Sequence, residues 1–103
     1  MEYNILSSKE FKRSLRDILW TLSSASPQKR VIDFLNLLQK RIEGLCVFPE
    51  EGFVPKNNHI ARLGFRALVI DRYILFYKVN KESKLILLYY IVASRREYES
   101  LIY

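Results

Sequence analysis

The side chains in this sequence that could do chemistry are few, and most are basic. There is one cysteine, Cys46, and one histidine, His59. A lone cysteine forms no intrachain disulfide, which fits a reducing cytosol. One cysteine with one histidine does not make the usual zinc ligand set, so no metal site and no cofactor are expected. Arginine and lysine remain: 17 against 11 acids, a net charge of +6. That balance favours acidic partners, whether nucleic acid, an anionic surface or an acidic protein. The excess is shared by both halves of the chain. Arg66 stands in a strand-like run, and Arg95 and Arg96 open the last segment, followed by Glu97 and Tyr98. Cations at a helix start oppose the helix dipole, so Arg95 and Arg96 call for a role outside folding. His59 lies in a loop among asparagines and reads as exposed.

These residues must be positioned by the segment from Ala61 to Ser94. It holds three runs rich in Leu, Ile, Val, Tyr and Phe, broken at Asp71-Arg72 and at Asn80–Ser83. Such runs read as strands, and breaks this short force antiparallel neighbours. A meander is expected over Ala61–Ile70, Tyr73–Val79 and Lys84–Val92. Upstream, Glu2–Leu6 alternates weakly and reads as a short first strand. Ser7 to Glu10 fits a capping box with Ser7 as the cap. Phe11, Leu15, Ile18, Leu19 and Leu22 then form one helical stripe, and Trp20 lies beside it as packing. Ser26 as cap and Pro27 at the first position start a second helix, with Val31, Leu35, Leu38, Ile42 and Leu45 as its seam. The short connection makes the two helices an antiparallel hairpin, and the sheet is their floor. Residues 47–60 read as a loop, broken by Pro49, Gly52 and Pro55. The fold class is therefore α+β, in the order β-α-α-β-β-β-α, as one domain over residues 1–103.

The last strand is apolar on both faces. Leu85, Leu87, Tyr89 and Ile91 point one way; Ile86, Leu88, Tyr90 and Val92 point the other. A helical hairpin covers one face only. The other face awaits the C-terminal segment, the long loop or another molecule. No apolar run reaches the ~20 residues of a membrane span, and no signal peptide, repeat or linker is evident.

The order and spacing of four motifs carry a resemblance across nearly the whole chain. They are Leu45-x-x-Phe48-Pro49, Leu63-Gly64-Phe65-Arg66, Tyr73-Ile74-Leu75-Phe76-Tyr77 and Arg95-Arg96-Glu97-Tyr98. Together they resemble the RelE/ParE superfamily, the toxins of type II toxin–antitoxin modules. The resemblance implies a cytosolic bacterial protein, an antiparallel sheet backed by a helical hairpin, and a cognate acidic antitoxin that wraps and silences it. Ile86, Leu88, Tyr90 and Tyr98 are then the expected antitoxin or partner interface. RelE-like members cut messenger RNA in the ribosomal decoding site, without metal; ParE-like members poison DNA gyrase. On the nuclease branch, Arg66, Arg95 and Arg96 would hold phosphate, with Tyr98, Glu97 or His59 moving protons. Ile74, however, stands where such relatives often carry an arginine, and Ala93 where they often place His or Tyr. The strand at 73–77 and the ending at 95–98 look more like ParE. The resemblance therefore implies a toxin that binds a gyrase-like target; alternatives are a ribosome-dependent endoribonuclease and a relative that binds partners without toxicity.

Overall fold

The structure, a computed structural model, describes residues 2–93. The expected C-terminal helix, with Arg95, Arg96, Glu97 and Tyr98, lies outside the described residues. The elements are β1 (Asn4–Ser7), α1 (Lys9–Ala25), α2 (Gln28–Val47), α3 (Asn58–Arg62), β2 (Arg66–Ile70), β3 (Tyr73–Asn80) and β4 (Leu85–Val92). The meander forms as expected: β2 pairs with β3, and β3 with β4, antiparallel. The β2–β3 turn carries Asp71 at φ 57, a left-handed conformation that aspartate tolerates better than most residues.

The sheet is mixed rather than wholly antiparallel. Its order is β1-β4-β3-β2, and β1 lies parallel to β4, with Ile5 opposite Ile86. A parallel neighbour needs a long crossover, and the helical hairpin together with the meander supplies one. The pairing also moves the start of α1. β1 runs through Ser7, so Ser8 becomes the cap instead of Ser7, and its Oγ accepts from Phe11 N at 2.9 Å. At the hairpin turn, Pro27 is the cap of α2 and Ser26 closes α1 in extended backbone. Within residues 47–60, expected to be loop throughout, α3 begins at Asn58. Asn57 caps it, its Oδ1 accepting from Ile60 N at 3.1 Å. Gly64 at φ 88 then turns the chain into β2, which starts later than the composition implied because residues 58–62 are helical.

The helices cover one face of the sheet. Phe11, Ile18 and Leu22 of α1 and Phe34, Leu38 and Leu45 of α2 close over Leu68, Ile70, Leu75, Tyr77, Ile86, Leu88 and Ile91. Two expected packing positions are corrected. Phe34 takes the seam instead of Leu35, its ring centroid 4.7 Å from that of Tyr73. Trp20 is 76% exposed, on the outer side of α1.

The register of β4 contains a further correction. Phe76 pairs with Tyr90 but Tyr77 pairs with Leu88, so Tyr89 has no partner on β3. One extra residue reverses the side-chain alternation beyond it. Ile86 and Leu88 therefore join Ile91 in the helix-side core, and only Tyr90 of that expected trio lies on the opposite face. The displaced backbone groups are taken up by α1. Ser8 Oγ donates to Tyr89 O at 2.7 Å, and Ser14 Oγ accepts from Ile91 N at 3.2 Å while donating to Phe11 O at 3.0 Å.

Ser14 is buried, so removing its hydroxyl leaves the Ile91 N–H dry and unpaired. Ser14→Ala should destabilise the fold by about 1–3 kcal/mol, read as a lowered urea midpoint with an unchanged slope. A midpoint equal to that of the parent chain would refute the assignment.

Candidate functional site

Of the expected phosphate and proton-transfer residues, Arg66 and His59 lie among the described residues, and Arg95, Arg96, Glu97 and Tyr98 lie outside them. Arg66 pairs with Tyr77 across the β2–β3 ladder and so lies on the helix side of the sheet, at its edge. His59 is exposed on α3. What Arg66 touches is main chain: its Nη2 donates to Glu50 O at 3.0 Å and to Gly52 O at 2.6 Å. Its Nε is buried without a partner. These contacts make Arg66 an anchor for residues 49–53.

Three more side chains hold the same loop. Tyr77, fully buried, donates its hydroxyl to Pro49 O at 2.8 Å and accepts from Gly52 N at 3.0 Å. Arg41 reaches Glu51 at 3.2 Å and Val69 O at 3.1 Å. Lys81 meets Glu50 at 2.8 Å. The hydrogen bond from Lys81, its charge and that of Arg66 hold the Glu50 carboxyl below the usual range, and the same bond pushes Lys81 up. Both partners are exposed, so this bridge places the loop more than it stabilises the fold. Phe53 exchanges two backbone hydrogen bonds with Ala67, both at 2.8 Å, and covers the edge of β2. Gly52 fits where no side chain would: a Cβ there would come within 2.5 Å of Ala67 O and 2.7 Å of the Tyr77 hydroxyl.

The face away from the helices has its own core. Phe65, Ala67, Ile74, Phe76 and Val92 are buried, with Ile60 of α3 and Tyr90 packed against them. That face was expected to await the C-terminal segment, the long loop or another molecule; over these residues it is buried, and Ile60 comes from the 47–60 segment. Ile74 sits in register between Val69 and Val92, hydrocarbon on both sides. Phe65 is the hub of its rim: the Tyr89 ring lies 4.8 Å away, and Lys78 Nζ stands 4.5 Å above the ring centroid. Lys78 thus sets its charge over a π face.

An open cleft of about 630 Å³ lies where α1, the helical turn and the ends of β3 and β4 meet. Asp17, Arg30, Arg72, Tyr73 and Tyr90 contribute to its wall. Sequence reasoning passed over Arg30 and Arg72, since one sits in a helix start and the other in a two-residue turn, and neither pattern marks a site. Among the described residues no cluster of three or more metal-ligating side chains exists, and no helix is long and apolar enough to cross a membrane. Cys46 is half-buried. Burial pushes its thiol up, and the charges of Glu2 and Glu43 push the same way. Such a thiol carries little thiolate at neutral pH and makes a poor nucleophile.

Comparison with known proteins places this geometry. Residues 5–98 match the family model of the ParE toxin of the type II toxin–antitoxin system parDE. No curated protein matches the sequence. Among solved structures, a chain of the toxin–antitoxin complex RelBE2 from Mycobacterium tuberculosis is similar in fold. It has a TM-score of 0.64 and 15% identity, over 90% of this chain and 99% of that one.

Tyr77→Phe tests the loop anchorage. It strips a buried N–H and a carbonyl of their partner while keeping the ring. The expected cost is about 1–3 kcal/mol, with faster amide exchange confined to residues 49–53. Unchanged exchange there would show that the hydroxyl does not hold the loop.

Proposed function

The chain belongs to the ParE toxin family of type II toxin–antitoxin systems, and on that footing we propose that it arrests growth by binding a large cytosolic target of the DNA gyrase kind. A toxin of such a system has a cognate antitoxin, and the net charge of +6 favours an acidic one. The observation that carries the choice of binding over cutting is Ile74. Phosphoryl transfer needs positive groups on the phosphate and a group that moves protons. At the centre of the away face stand Ile74, Phe76, Ala67 and Val92, with Val69 at the edge. A hydrocarbon centre offers a transition state no charge. Arg66, the first candidate for a phosphate clamp, makes its described hydrogen bonds to main-chain carbonyls on the other side of the sheet.

Two assays decide the target. Purified toxin should inhibit supercoiling by DNA gyrase, and antitoxin should restore it. Primer extension on translated messages during growth arrest should show no new 5′ ends. New 5′ ends with gyrase activity intact would overturn the proposal in favour of a ribosome-dependent endoribonuclease. Growth unaffected by the toxin alone would overturn it in favour of a relative that binds partners without toxicity.

A further inference from the structure

The outer side of α1 has a composition that packing does not explain. Lys9, Lys12, Arg13, Arg16 and Trp20 are all exposed there. At about 100° per residue they fall within an arc of roughly 100° on the helix surface, and they span about 16 Å of its length. The acids of α1, Glu10 and Asp17, fall outside that arc, on its flank. Among the described residues none of the four cations makes an ion pair. The bridges that do form, Lys29–Asp33, Arg41–Glu51 and Lys81–Glu50, lie elsewhere. Like charges three and four positions apart destabilise a helix, so folding is worse off for this strip. Nor does Trp20 gain anything from packing. Its carbonyl is held by the hydroxyls of Ser23 and Ser24, at 3.1 and 2.8 Å, while its ring stands in solvent.

We propose that this strip binds single-stranded nucleic acid, the four cations lying against successive phosphates and the Trp20 ring stacking on a base. The cations alone would suit any polyanion. The indole narrows the choice, because an unpaired base offers a face to stack on, whereas an acidic peptide offers carboxylates that the ring does not use. A duplex hides those faces in its own stack. The proposal is independent of the gyrase reading, since it concerns the bare chain and an oligonucleotide.

The test is direct because Trp20 is the only tryptophan. The full chain is titrated with a short oligothymidylate while indole emission is followed. Saturable quenching is expected, weakening with salt at a log–log slope of about −2 to −3, as three or four phosphate contacts require. The double variant Lys12→Gln/Arg16→Gln, its helicity checked by circular dichroism, should roughly halve that slope and weaken binding at low salt. No quenching at low salt would overturn the proposal, as would undiminished binding by the double variant. Equal quenching by polyglutamate of matched length would also overturn it and would assign the strip to an acidic protein instead.

Discussion

Tyr89 has no partner on β3, and α1 is fastened at the place where that partner is missing. A bulge leaves backbone groups off the ladder, and a buried one among them, such as the Ile91 N–H, has no water to turn to. Here two hydroxyls of one helix receive them, Ser8 at the carbonyl of Tyr89 and Ser14 at the N–H of Ile91. The two serines sit six residues apart, so the contact fixes both the rotation and the height of α1 on the sheet. It also permits the reversal of alternation in β4. Without the bulge, a strand placing Ile86 and Leu88 under the helices would put Tyr90 there too and turn Ile91 outward. With it, Ile91 completes the helix-side core, and Tyr90 and Val92 serve the opposite one. Both cores thus hang on a single inserted residue and the hydroxyls that accommodate it.

The same logic governs the edge of β2. An uncovered edge strand invites pairing with another chain. The 49–53 loop occupies that edge through the Phe53–Ala67 exchange, and Arg41 caps the carbonyl of Val69. The loop in turn is held by a tyrosine hydroxyl from within the core and by Arg66 from the rim. A positive side chain at a sheet edge is easily read as bait for a phosphate. Here main-chain carbonyls occupy it, because a close-packed loop with Gly52 at its centre presents them within reach.

What was legible in the sequence follows from how local each cause is. The two helices, their apolar stripes and the meander arise from spacing and short breaks, and these were readable. The parallel seat of β1 depends on which edge is vacant once the meander and helices have formed, which four residues cannot encode by themselves. The shift of the cap from Ser7 to Ser8 is a consequence of that pairing. The preference for Phe34 over Leu35 rests on the Tyr73 ring opposite, a long-range contact. The bulge was hidden for a plainer reason: Leu85 to Val92 is apolar at every position, so no alternation existed whose interruption could be noticed. The helix at Asn58–Arg62 was masked by its asparagines, which mark loops and helix caps alike, and Asn57 proved to be a cap.

The division of labour on the surface bears on how such a chain could act. The away face of the sheet is hydrocarbon at its centre and aromatic at its rim, with Lys78 laid over Phe65. Among the described residues, the helix side carries exposed cations along α1, and Arg30 and Arg72 stand in the wall of the cleft. A catalyst of phosphate transfer would gather its cations where the substrate is desolvated, since that is where they act most strongly. Cations spread over convex, solvated helix surface steer and hold a partner, and salt weakens them there. Among the described residues this distribution suits the proposed reading, in which the toxin acts by occupying a partner, with specificity in the apolar and aromatic contacts and speed of encounter in the basic ones.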